Sequence, residues 1–194
     1  RGLKDLISFF KKNFIEQLWY NFEILIDIEK KYPDFNILSE SGILISENND
    51  NEFISNIEVN LNKILDDDND STKTLSSLLK DTEGMNWIHM KDFNSYDLLS
   101  STYTVINAIY RNDSIDNIIG FALKINIKYK ELNDDIFLIY RMDIKSFYPF
   151  LPTSKIVGEK DQSKEDIFFN FLSQNKINLE KNKRKWLGIW GIPF

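Results

Sequence analysis

The chain has 194 residues, of which 42% are hydrophobic, 14% aromatic and 28% charged, with a net charge of −6. That is enough apolar material to offset the entropy cost of folding one domain, and the acidic balance argues against broad coating of nucleic acid, which needs a basic footprint. Cysteine is absent, which excludes disulfides, Cys-ligated zinc, iron–sulfur clusters and thiol chemistry and makes a reducing, cytoplasmic location the simpler expectation; no apolar run approaches the roughly 20 residues of a membrane-spanning helix.

Leu3 to Lys31 reads as a long helix, because Leu3, Leu6, Ile7, Phe10, Phe14, Leu18, Phe22 and Leu25 recur at helical spacing. Ile15, Trp19, Ile26 and Ile28 widen the stripe, and a stripe this broad wants cover on two sides. Tyr32 before Pro33 ends it, since a residue preceding proline is pushed out of the helical region. Ile43 to Ile45 reads as a short strand and Phe53 to Leu65 as a second helix. Leu75 to Lys80 reads as a short helix, Asn86 to Phe93 as a strand, and Tyr96 to Tyr110 as a helix.

The clearest unit follows. Ile119, Phe121, Leu123, Ile125, Ile127 and Tyr129 alternate with Gly120, Ala122, Lys124, Asn126, Lys128 and Lys130. After a polar turn at Glu131 to Asp134, alternation resumes from Ile136 to Phe147, with Arg141, Asp143 and Lys145 on the polar side. The two runs predict an antiparallel hairpin with one apolar and one polar face. Ser163 followed by Asp166 looks like a capping box ahead of Ile167, Phe168, Phe171 and Leu172 and opens a C-terminal helix. The tail joins a basic run, Lys181 to Lys185, to the apolar stretch Trp186 to Phe194. It is expected to pack back on the core, with a membrane-surface or partner-docking segment as the competing reading. The expected fold is α+β in a single domain spanning 1–194. Its helical N-terminal half (1–115) packs on a small antiparallel sheet built around the long hairpin at about 118–147.

Asp143 and Lys145 form an Asp-x-Lys triplet. It resembles the triplet of metal-dependent nucleases of the PD-(D/E)xK type, in which the acid binds a divalent metal and the lysine orients or activates the attacking water. The resemblance implies Mg2+ as cofactor and a second acid near the start of the partner strand, a place that Asp116 holds, although no proline precedes it. Folding about the expected turn sets Asp143 opposite Lys124, so the simpler expectation is a solvated cross-strand ion partner of its basic neighbours. Met142-Asp-Ile-Lys-Ser-Phe-Tyr-Pro149 also resembles the first catalytic-aspartate motif of reverse transcriptases and family B DNA polymerases. Those enzymes need a second aspartate motif downstream, and residues 150–194 hold no Tyr-x-Asp-Asp, so that resemblance is set aside.

Lys124, Lys128, Lys130, Arg141 and Lys145 outweigh Asp143 on the polar hairpin face. Such a face meets phosphate groups or an acidic partner, or is simply a solvated face that discourages edge pairing. Asp66-Asp-Asp-Asn-Asp70 looks like the start of an EF-hand loop, but Ser71 and Ser77 stand where that loop needs Gly and Glu. His89 is the only histidine, which excludes multi-histidine metal sites, and its Trp87-Ile-His-Met90 setting reads as structural. The function expected is a non-catalytic protein-binding module, of the kind that immunity proteins and antitoxins are. It calls for a protein partner, no metal and no cofactor, with nucleic acid not favoured. The alternative is a Mg2+-dependent nuclease using Asp116, Asp143 and Lys145.

Overall fold

Six strands form one open antiparallel sheet in the order β2-β3-β1-β4-β5-β6 in the computed structural model, which describes residues 2–47, 50–66 and 74–194. In chain order the elements are α1 (Leu3–Lys31), β1 (Phe35–Ile45), α2 (Glu52–Ser55), α3 (Ile57–Leu65), β2 (Leu75–Lys80) and β3 (Asn86–Lys91), then α4 (Ser95–Arg111), β4 (Ile118–Tyr129), β5 (Leu132–Arg141), β6 (Ser146–Phe150) and α5 (Gln162–Ser173). The α+β class, the central hairpin (β4–β5) and the C-terminal helix are those the sequence predicts. Residues 67–73, which hold most of the acidic run, lie outside the described residues.

The helices cover one face of the sheet. Phe14, Ile15, Leu18, Phe22, Leu25 and Ile28 are buried along α1 at spacings of three and four, and they join Phe121, Leu123, Ile125 and Ile127 of β4 in the larger core. Asn94 caps α4 by accepting from the Asp97 amide at 2.8 Å, and Asp161 caps α5 by accepting from the Lys164 amide at 3.1 Å. Caps of this kind contribute about 1 kcal/mol each. Asp161, not Ser163, is therefore the residue that opens α5.

The opposite face of the sheet has its own core: Leu44, Trp87, Ala122, Phe137, Ile139, Tyr148 and Phe150, closed by Trp186 from the tail. The tail holds one short 3-10 turn, Lys183–Lys185, and otherwise lies across the strands without regular structure. Polar bonds fix its course. Tyr148 Oη donates to the Leu187 carbonyl at 2.7 Å, Trp186 Nε1 to the Glu180 carbonyl at 2.8 Å, and Arg141 Nη1 to the Lys185 carbonyl at 2.7 Å. Gly42 admits Phe194, since a Cβ there would lie 2.5 Å from that ring. The hairpin is thus buried on both faces at its centre, and its second face is only partly the polar surface that alternation suggests.

Other expectations change for local reasons. Leu75 to Lys80 is a strand, not a helix. Its Leu75, Leu78, Leu79 spacing suits a helix, yet full-length pairing with β3, from Leu75↔Lys91 to Lys80↔Asn86, decides the outcome. Asp81 makes the turn that allows this pairing, accepting from the Glu83 and Met85 amides and from Trp87 Nε1. The predicted helix over Phe53 to Leu65 breaks at Asn56 into α2 and α3. The short strand at Ile43 to Ile45 is the end of the 11-residue β1. The β4–β5 turn is Lys130-Glu131, with Lys130 at φ 52, because Leu132 is fully buried and starts β5 early. The run from Ile136 to Phe147 is two strands, with a turn between Arg141 and Ser146.

Candidate functional site

Burial along α1 changes at Phe14. Before it, Leu3 is 73% exposed, Leu6 53% and Phe9 64%; from Phe14 onward the inner face is buried. The apolar side chains of Leu3, Leu6 and Phe9, ahead of Phe14, are therefore open to solvent in the first turns of the helix. Helical periodicity runs unbroken through both parts, so the stripe alone does not mark where the sheet stops.

Beside Phe14 lies a groove of about 520 Å3. Phe14, Ile118, Ile119 and Met142 form its apolar wall, and Asp116, Arg141, Asp143 and Lys145 its charged rim. A bulge at the start of β4 builds it. Register jumps from Leu44↔Gly120 to Ile45↔Ile118, so Ile118 enters the core while Ile119 turns outward and is 37% exposed. This corrects the expectation that Ile119 shares the core face with Phe121. Across from it the β5–β6 turn closes with the Lys145 amide on the Arg141 carbonyl at 2.8 Å, while the Met142 amide donates to the Ile119 carbonyl at 3.0 Å.

The sequence-predicted residues divide into two groups. Asp116, Arg141, Asp143 and Lys145 meet at the groove. Lys124, Lys128 and Lys130 do not: Lys124 lines a separate depression, Lys128 pairs in register with Asn133, and Lys130 sits in the hairpin turn. Lys124 stands opposite Phe137, not Asp143, because Asp143 has left the strand for the turn. Lys145 adopts φ 50 in that turn, so the Asp-x-Lys triplet is not presented on a strand. His89 Nε2 lies 3.0 Å from Glu40 Oε1 and its ring stacks on Phe194, a structural setting.

Both carboxylate oxygens of Asp143 are engaged by Arg141, with Nε to Oδ1 at 3.0 Å and Nη2 to Oδ2 at 2.5 Å. Burial works to lower the Arg141 pKa, but the hydrogen bonds and charges of Asp143 and Tyr148 together prevail and it is raised. Among the described residues, no group of three or more histidines and carboxylates is placed to hold a metal ion. The groove thus offers apolar packing beside a charge-paired rim. Because the Asp143 side chain is 61% exposed, Asp143→Asn is expected to cost at most about 1 kcal/mol. Urea unfolding at low and high salt checks this, with a smaller difference between variant and wild type at high salt.

No curated protein and no solved structure matches the chain. A family model described as PspA associated protein B matches residues 9–194, from Phe9 within α1 through the tail, leaving Leu3 and Leu6 outside the match. That match takes in the groove, both cores and every strand of the sheet, and the chain belongs to the PspA associated protein B family, PspAB.

Proposed function

We propose that this chain is a non-catalytic protein-binding module that associates with a PspA protein, and that the exposed apolar side chains at the start of α1 with the groove beside Phe14 are the docking surface. The observation that carries the reading is the apolar row Leu3, Leu6 and Phe9, all more than half exposed, on the helix whose Phe14 lines the groove together with the outward-turned Ile119. Contiguous apolar surface of this kind marks interaction sites, and an apolar centre with a polar rim is the anatomy of a protein interface. The choice of partner rests on the family description. Neutralising the partner, as an immunity protein or antitoxin does, is one form such binding takes; the family description speaks of association. The nuclease alternative draws no support from an Asp143 held on both oxygens by Arg141.

Size-exclusion chromatography of the chain mixed with purified PspA from the same source tests the reading. Co-elution is expected for the wild type and separate elution for Leu6→Asp, with an unchanged far-UV circular dichroism spectrum. Co-elution that survives Leu3→Asp, Leu6→Asp and Ile119→Asp together removes this surface from the account.

A further inference from the structure

The largest depression among those described lies on the other side of the sheet, where the tail, the β2–β3 turn and the segment after β6 meet. Its volume is about 730 Å3, within the range of small-molecule sites. Three lysines, Lys80, Lys124 and Lys155, reach it, between walls formed by Phe137, Trp190 and Phe194.

The ammonium groups there are poorly neutralised. Lys124 lies over the face of Phe137, 5.3 Å from the ring centroid, and has no carboxylate partner among the described residues. The direct β4–β5 pairing of Lys124 with Phe137 holds it there. Lys155 makes no side-chain hydrogen bond or ion pair among the described residues. Lys80 reaches Glu47 at 3.5 Å, but both side chains are about two-thirds exposed (66% and 65%), and such pairs are weak. The one carboxylate side chain in the lining, Asp81, is already the acceptor for two amides and the Trp87 indole. On a chain of net charge −6, this is a local positive field with aromatic walls.

The rings are positioned rather than loose. Trp190 Nε1 donates to the Glu159 carbonyl at 3.2 Å, and its ring meets Phe150 edge-on at 5.0 Å. Phe137 stacks on Phe150 and meets Phe194 edge-on. Unpaired ammonium groups suit phosphate oxygens, and the partly exposed rings of Trp190 and Phe194 suit a flat ring.

We propose that this depression binds a phosphorylated small molecule carrying a flat ring, of the nucleoside phosphate class, with Lys124 and Lys155 holding the phosphate and Trp190 and Phe194 holding the ring. The site shares no lining residue with the docking groove, so each stands or falls alone.

Isothermal titration of the full chain with ADP, and separately with inorganic phosphate and adenosine, tests it. Saturable binding of ADP is expected, at least ten-fold tighter than either fragment. Lys124→Ala and Lys155→Ala are each expected to weaken it five-fold or more, while Lys128→Ala, outside the depression, leaves it unchanged. Circular dichroism verifies that the variants fold. The absence of saturable ADP binding at millimolar ligand overturns the proposal. So does binding indifferent to Lys124→Ala and Lys155→Ala, and so does phosphate binding as tightly as ADP, which leaves the ring unread.

Discussion

Replacing Glu165 with alanine is expected to destabilise the fold by about 3–5 kcal/mol, the range for stripping one partner from a buried ion pair. Glu165 lies in the first turn of α5 and is 1% exposed. Its carboxylate accepts the Leu151 amide at 2.9 Å and pairs with Lys160 Nζ at 3.0 Å. Lys160, with a side chain 14% exposed, also donates to the Trp186 carbonyl at 3.2 Å. One carboxylate therefore ties the chain after β6, α5 and the tail together. Its removal leaves the largely buried Lys160 ammonium without its counter-charge and the Leu151 amide without its acceptor.

Burial raises the Glu165 pKa above the ordinary 4.5, against the pull of the Leu151 and Lys160 bonds. A folded-state pKa above the unfolded one means that the folded protein holds the proton more tightly. The associated stability is complete below the ordinary carboxyl range and is lost as pH rises through the folded value. Glu165→Gln is expected to flatten that slope and to cost less than Glu165→Ala, since an amide still offers one acceptor. Urea midpoints across the acid range measure both effects. A loss under about 1 kcal/mol in Glu165→Ala would show that the pair does not tie these segments.

Gly120→Ala is expected to cost about 3 kcal/mol, at the upper end of overpacking effects. A Cβ at Gly120 would lie 2.3 Å from the Tyr140 carbonyl oxygen. That atom is backbone in a paired strand, and β4 is held between β1 and β5, so no flexible side chain can yield. Relief requires opening the β4–β5 rungs beside Arg141, which disturbs the Met142 to Ile119 bond and the groove shaped by the bulge. Hydrogen exchange checks this directly, with the Met142 amide expected to lose protection first. A variant of wild-type stability would mean that the close approach at Gly120 is not required.

Period-two alternation made β4 and β5 legible in the sequence, because β-branched and aromatic residues recur there with little interruption. The fate of the second face was not legible. Lys124, Asn126 and Lys128 mark it as polar, yet Ala122, Phe137 and Ile139 on it are buried under the tail. Cover from a remote, irregular segment leaves no periodic signal; the aromatic content of Trp186 to Phe194 was the sign that the tail needed a surface. For Leu75 to Lys80 the leucine spacing satisfied a helix, and long-range pairing with β3 overrode it. At the groove, Asp116, Arg141, Asp143 and Lys145 stood out by charge. Ile119 did not, since alternation alone carries no mark of a bulge. Leu3 and Leu6 read as core because a helical stripe records amphipathicity and not the edge of the body it packs on.

Biolayer interferometry with immobilised PspA from the same source tests the proposed docking surface most directly. Saturable binding of the wild type is expected, weakened at least ten-fold by Leu6→Asp and by Ile119→Asp, with both variants retaining the wild-type urea midpoint to within about 1 kcal/mol. Wild-type affinity in both variants, or no binding by the wild type, would contradict the account.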